Sequence, residues 1–315
     1  MTGPHEAADP AARRAALMLV LSSSLFALMA LLAKIVSHEV PTVEAAAVRF
    51  ATGGAVVLVL RATGRIELRP RRWGWLFARG LFGGTAVVFY FSGMQRISVG
   101  EATLLNYTQP VFTMLAAWML LGERPPRRAL VALPVTLLGV ALIVGIRLTD
   151  LHAELGQMFA LTSAVLSGVA VTSIRAARRE IPGGTPAETA WTVFTAFTLL
   201  GLVVTVPLVL PPLGRWVAPS PRAWALLLGV GLSSVAAQVL MTWALRHLRV
   251  GTAGVITQLT AVGAIGAGAI FLGERLSPGF LTGAVITLSG VAFAIFGSAP
   301  GRLAPRLLGK LRARL

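Results

Sequence analysis

Two arginines stand inside apolar runs of this 315-residue chain, Arg49 within residues 42–60 and Arg79 within 73–94. Charge at such a position is costly in a membrane and by default marks function. A guanidinium facing a cavity would favour a carboxylate or phosphate on a solute, through paired charge-assisted hydrogen bonds. The bland alternative is snorkelling to a lipid headgroup, which suits Arg79 better than Arg49. A second polar feature is the run Asn106-Tyr107-Thr108-Gln109, followed by Pro110. Proline has no N–H to donate to the Asn106 carbonyl and its ring crowds that carbonyl, so a kink is expected there. Asn106, Gln109 and Pro110 would share one helical face by their spacing. Glu44 and Glu101 each open an apolar run, where the helix dipole favours a carboxylate. They are also the candidates for gating or proton coupling, together with Arg79. No Asp or Glu falls at the middle of a run. There is no cysteine, and His5, His38, His152 and His247 all lie in tails or connections. No metal centre and no cofactor are therefore expected.

The elements that must position these residues are set by composition. The chain is 56% hydrophobic and 13% charged, against roughly 25% charged in a soluble domain. Residues 15–35 form an apolar run too long for a signal-peptide core. Nine more follow, at about 42–60, 73–94, 101–121, 128–146, 155–174, 187–210, 223–245, 252–272 and 279–297. About 20 apolar residues suffice to cross a bilayer as a helix. The short connections leave no room for a large soluble domain. The net charge of +16 does not point to nucleic acid, because the arginines sit in short clusters between apolar runs. With the N-terminus inside, 20 Lys and Arg fall on cytoplasmic segments and 6 on outer ones. That bias places both termini in the cytoplasm of a multi-pass protein of the cell membrane.

The chain also repeats itself. At an offset of 151 residues Val99-Gly100 pairs with Val250-Gly251, and Leu121-Gly122-Glu123-Arg124 with Leu272-Gly273-Glu274-Arg275. Thr136-Leu137-x-Gly139-Val140-Ala141 pairs with Thr287-Leu288-x-Gly290-Val291-Ala292, and Trp73 with Trp224. Five spans per repeat is an odd number, so the second copy must cross in the opposite sense. The expected fold is all-α and membrane-integral, ten transmembrane helices in two inverted five-helix repeats. Residues 1–14 would be a cytoplasmic tail, 15–146 the first repeat, 147–298 the second, and 299–315 a basic tail fit to lie on anionic lipid. Inverted repeats place a solute site near the midplane, between the copies. The same offset sets Thr257, Gln258 and Thr260 opposite Asn106, Tyr107 and Gln109. These two patches are expected to line the site, the alternative being hydrogen bonding between helices. Tyr90, Trp191, Gln238, Thr242 and Trp243 are further cavity candidates, with Tyr90 and Gln238 preferred. Trp73 and Trp224 suit interfacial anchors, and Gly263, Gly266 and Gly268 close helix contact. Glu123 and Glu274 suit a gate or a packing role.

Ten spans in two halves, each with Gly-Glu-Arg closing its fourth helix, resemble the drug/metabolite transporter superfamily in its EamA-domain branch. The Asn-Tyr-Thr-Gln-Pro run at 106–110 and the Arg49-Phe50 pair also fit that branch. The resemblance covers about residues 15–297 and implies a cavity lined by both halves. It implies transport of small organic solutes and leaves solute and direction open. The expected function is thus a secondary transporter, an exporter or exchanger of a small organic metabolite. An anionic or zwitterionic solute such as an amino acid fits, moved by alternating access. Uptake of a vitamin or nucleotide-like metabolite is the alternative. An enzyme is disfavoured, since no acid, histidine or nucleophile cluster is present. A non-transporting scaffold would leave the intramembrane polarity unexplained. The expected partners are the solute and membrane lipid, with no nucleic acid; self-association is left open.

Overall fold

The computed structural model describes residues 10–123, 127–144, 154–179, 184–244 and 256–296. Within them the chain forms eleven helices: α1 (Pro10–Val36), α2 (Thr42–Ala62), α3 (Trp73–Arg96), α4 (Val99–Asn106), α5 (Gln109–Leu121), α6 (Arg127–Val144), α7 (Leu155–Arg178), α8 (Ala190–Val209), α9 (Pro221–Ala244), α10 (Leu259–Leu272) and α11 (Pro278–Phe296). No strand occurs among the described residues. Six of the helices, α1, α2, α3, α7, α8 and α9, are long and apolar enough to cross a membrane, and shorter apolar helices accompany them. The tails and residues 245–255, including Val250, Gly251 and His247, lie outside the described residues, as does the side chain of Thr242.

Many large apolar side chains face outward, as they do in lipid. Leu58, Phe77, Met119, Ile270 and Phe271 are each more than half exposed. The fully buried positions include Ala15, Ala30, Ala33, Ala160, Ala164 and Ala261. Lipid solvates large apolar side chains, so helix contact in a membrane depends on small residues that let backbones approach. Gly84 packs on Gly201 and Gly168 on the Phe112 backbone closely enough that a Cβ at either glycine would overlap its neighbour.

The helix pairings are reciprocal. α3 packs on α7 as α9 packs on α1, α3 on α8 as α9 on α2, and α5 on α7 as α10 on α1. Two further pairs, α2–α8 and α6–α11, join an element to its own counterpart. The reciprocity reaches single atoms. Ser163 Oγ of α7 donates to the Ala86 carbonyl of α3, and Ser22 Oγ of α1 to the Ala237 carbonyl of α9, both at 2.8 Å. Ala86 and Ala237 are related by the sequence offset. Between α6 and α11, a Cβ on Gly139 would fall on Thr287, and a Cβ on Gly290 would fall on Thr136.

The Leu-Gly-Glu-Arg motif ends helices. Gly122 and Gly273 follow α5 and α10 with φ of 67° and 66°, the left-handed region open to glycine at low cost. The next amide turns back to an orphan carbonyl, Glu123 N to Ala117 O at 3.2 Å and Glu274 N to Gly268 O at 3.1 Å. Gly273→Ala is expected to cost roughly 1–2 kcal/mol, the penalty of a Cβ in left-handed backbone. Its thermal midpoint in detergent, against wild type, checks this.

One expectation is corrected. The run 101–121 is not a single kinked helix. α4 stops at Asn106, Tyr107 and Thr108 form a tight turn, and α5 starts at Gln109. Pro110 therefore sits in the first turn of a new helix, where its missing N–H has no role to lose. Asn106 and Gln109 consequently do not share one continuous helical face.

Candidate functional site

The two ends of the bundle differ. Arg14 near the start of α1 stacks over Trp243 near the end of α9, with 5.8 Å to the ring centroid. On this face, which also carries the end of α7 and the start of α8, a cavity of about 500 Å³ opens. Arg178, Thr189, Trp191, Phe194, Gln238 and Trp243 line it. Trp191, Gln238 and Trp243 were legible as cavity candidates; Arg178 and Phe194 were not.

The opposite face is closed by charge-assisted hydrogen bonds. Lys34 Nζ donates to the Met94 and Ile97 carbonyls at 2.6 and 2.7 Å, capping the end of α3. Glu274 Oε1 accepts from Val99 N at 2.7 Å and so caps α4. Glu44 Oε1 accepts from Val217 N at 2.7 Å, and Glu39 Oε1 from Ser220 N at 2.8 Å. The Ser220 hydrogen bonds hold the Glu39 carboxyl below the usual carboxylate range. Glu101 accepts from Gln157 Nε2 at 2.7 Å, tying α4 to α7. Glu44 and Glu101 thus join elements at this end, away from the cavity.

Between the two ends lies a polar layer. Arg49 is 7% exposed and its Nε donates to Ser234 Oγ at 2.5 Å. Ser234 is one helical turn from Gln238 on α9, just as Phe197 is one turn from Phe194 on α8. The floor of the cavity therefore leads toward Arg49. Arg79 folds against Gly83, where any Cβ would overlap its Nη1. Its guanidinium lies over the Phe197 ring at 4.0 Å, and that of Arg49 lies 5.7 Å from the same ring. Arg79 Nε is buried without a hydrogen-bond partner. Among the described residues neither guanidinium has a carboxylate partner. Arg79 is thus turned into the bundle rather than out to lipid. Tyr90 and Tyr107 lie within electrostatic reach of Arg49. Tyr90 Oη hydrogen bonds Thr103 Oγ1 at 2.7 Å, and Tyr107, in the turn between α4 and α5, faces Thr260 of α10.

The other expected residues are spread more widely. Asn106 Oδ1 lies 2.9 Å from Ser163 Oγ and shares with the Ala86 carbonyl the one proton that hydroxyl can donate, a helix contact between α4 and α7. Gln109 is half-buried, and its carbonyl accepts from Thr113 Oγ1. Thr257 is half-buried just before α10. Gln258 is 7% exposed and neither amide atom has a hydrogen-bond partner. Glu123 pairs with exposed Arg175 at 2.8 Å, a surface contact of small energetic weight. Sequence reasoning missed Ser234, Phe197 and Ser163, which only the tertiary contacts single out. It also missed Glu188, whose Oε1 accepts from the Arg71 and Arg72 amides at 2.6 Å each.

A model of the EamA-like transporter family matches residues 13–145 and again 154–296. The chain belongs to this family. The pseudopaline exporter CntI of Pseudomonas aeruginosa is 30% identical over 237 residues, spanning 73% of this chain and 78% of that one. Human solute carrier family 35 member G1 is 29% identical, over 77% of this chain and 68% of that one. A crystal structure covering 94% of this chain and 99% of its own superimposes with a TM-score of 0.59 at 23% identity, a likeness of fold. Membership makes the chain a multi-pass membrane transporter of small metabolites and not an enzyme. The EamA-like transporter family match falls on two successive segments.

Proposed function

We propose that the protein is a secondary transporter that exports or exchanges a small organic metabolite by alternating access. In this reading ten spans form two inverted repeats, residues 15–146 and 147–298, with both termini cytoplasmic at the cell membrane. The reciprocal helix contacts support the inversion, since an isologous contact in which i meets j and j′ meets i′ requires a two-fold relation. The observation that carries the proposal is the cavity, open on the face where α1 begins and ending at a polar layer, with the opposite face sealed. That is one end state of an alternating-access cycle, the inward-open one if the termini are cytoplasmic. The name of the Pseudomonas relative favours export over uptake. The solute would contact Arg49, Tyr90, Tyr107, Gln238, Thr260 and Gln258, with Asn106, Gln109 and Thr257 around the helix breaks. Glu44, Glu101 and Arg79 would serve gating or coupling.

Counterflow into proteoliposomes tests this. Vesicles loaded with pooled amino acids, carboxylates, nucleosides and vitamins should accumulate at least one labelled member with saturable kinetics. Gln258→Ala should change KM or Vmax for that solute by several-fold. Asn106→Ala should weaken the protein thermally as well, because it strips Ser163 of a partner. No solute-dependent flux across the pool, with no thermal stabilisation by any member, would reject the carrier reading.

A further inference from the structure

Arg49 and Arg79 carry an observation that solute transport in general does not require. Both guanidinium groups are turned inward from different helices, α2 and α3, onto one aromatic ring. The distance between their centres cannot exceed the sum of their two distances to the Phe197 centroid. Two like charges this close in a poorly polarisable interior repel each other. No carboxylate among the described residues offsets them, although carboxylates elsewhere fasten a loop and cap a helix, as Glu44 and Glu274 do. Leucine or methionine would pack beside Phe197 without that cost. The pair is also only partly satisfied. Arg49 spends Nε on Ser234 and has four N–H donors left, and Arg79 Nε has none to spend itself on. Their contacts Ser234 and Phe197 lie one turn from Gln238 and Phe194 of the cavity lining, and a third cation, Arg178, stands in its wall.

We propose that Arg49 and Arg79 form a two-point clamp for a small solute carrying two negative charges, with Phe197 holding the two guanidinium groups apart. The inference rests on the transporter reading for its cavity and names the substrate class of that site. A dianion neutralises the clamp. A monoanion leaves one buried charge unmatched, and a neutral solute leaves both. Each guanidinium presents parallel N–H groups that fit the two oxygens of a carboxylate or phosphate. Ser234 fixes the Arg49 fork and Gly83 gives Arg79 room to fold inward. Discrimination therefore follows charge count and spacing rather than the carbon skeleton.

The test uses the full chain in neutral detergent, with succinate, glutarate, adipate and glycerol phosphate as probes. Butyrate and succinamide serve as mono-charged and neutral controls. At least one dianion should raise the melting temperature and the controls should not. The stabilising concentration should rise at least tenfold in Arg49→Gln and in Arg79→Gln, and Arg79→Lys should recover part of the loss. Size-exclusion profiles matching wild type show that the variants are folded. Stabilisation by none of the dianions, or equal stabilisation in both glutamine variants, would overturn the clamp. Nanodiscs of phosphatidylcholine and of phosphatidylglycerol separate a lipid source. Stabilisation by phosphatidylglycerol alone, lost in Arg79→Gln, assigns the pair to a headgroup and also overturns it. Counterflow with the stabilising dianion then separates the two readings. Binding without flux keeps the clamp and removes the carrier, whereas flux of neutral solutes unchanged in Arg49→Gln keeps the carrier and removes the clamp.

Discussion

Leucine at Gly139 and leucine at Gly290 are expected to destabilise the protein by similar amounts, although they stand in different halves of the chain. The α6–α11 contact is made by backbone approach. Thr287 occupies the space over Gly139, and Thr136 lies 2.5 Å from where a Cβ on Gly290 would sit. Gly283 is equally tight against the Gly139 carbonyl. Thr136 and Thr287 are each 1% exposed, and neither hydroxyl has a conventional hydrogen-bond partner. Each instead lies against the Cα of the opposing glycine, where weak Cα–H···O contacts form at close helix crossings. A leucine side chain has nowhere to go without separating the helices. Overpacking of this kind costs about 1–3 kcal/mol per site, and because the contact is reciprocal both sites should give similar values. Thermal midpoints in one detergent provide the comparison. Gly266→Leu, with no atom within 4 Å of its Cβ position, should stay within about 0.5 kcal/mol of wild type. A large loss at Gly139 with none at Gly290 would contradict the two-fold contact.

The residues of this contact stand out in the sequence because they repeat, although the contact between them does not. Thr136-x-x-Gly139 and Thr287-x-x-Gly290 match at the constant offset, and they turn out to touch each other. The same holds for Leu-Gly-Glu-Arg, where glycine forces the helix end that its position suggests. Lipid exposure was readable as well, since no soluble packing could hide runs so apolar. What escaped was anything decided by which neighbour arrives from another helix. Pro110 reads as a kink in a continuous apolar run, and only the tight turn at Tyr107–Thr108 shows that it opens a new helix. Asn106 reads as a cavity residue, yet its amide oxygen is taken by Ser163 from α7. Ser234 and Phe197 carry no signal of their own in an apolar run, and gain meaning only because Arg49 and Arg79 reach them. Glu274 was legible as a gate or packing residue, but not its bond to Val99, which lies 175 residues away in the chain.

That bond motivates the last expectation. Glu274→Ala should let the sealed face open. Glu274 Oε1 holds the first amide of α4, and Lys34 holds the last carbonyls of α3, so both grip the α3–α4 junction from α1 and the end of α10. The two side chains also lie within electrostatic reach of each other. The second carboxylate oxygen of Glu274 is buried and unpartnered, which leaves the group dependent on the Val99 bond and on Lys34. Hydrogen bonds to charged groups contribute about 1.5–3 kcal/mol. Losing one that exists only while this face is shut shifts the balance between shut and open by roughly 10- to 100-fold. The chain has no cysteine, so a single Thr103→Cys reports access directly, placed beside Tyr90 below the seal. A membrane-impermeant maleimide added to the face opposite the start of α1 should label it at least tenfold faster in Glu274→Ala than in the unaltered background. Lys34→Ala should act in the same direction. Their combination should give less than the product of the two effects, because both fasten the same junction. An unchanged labelling rate in both variants would mean that these bonds only shape the loop, and that the barrier to opening resides in the apolar contacts between α4 and α10.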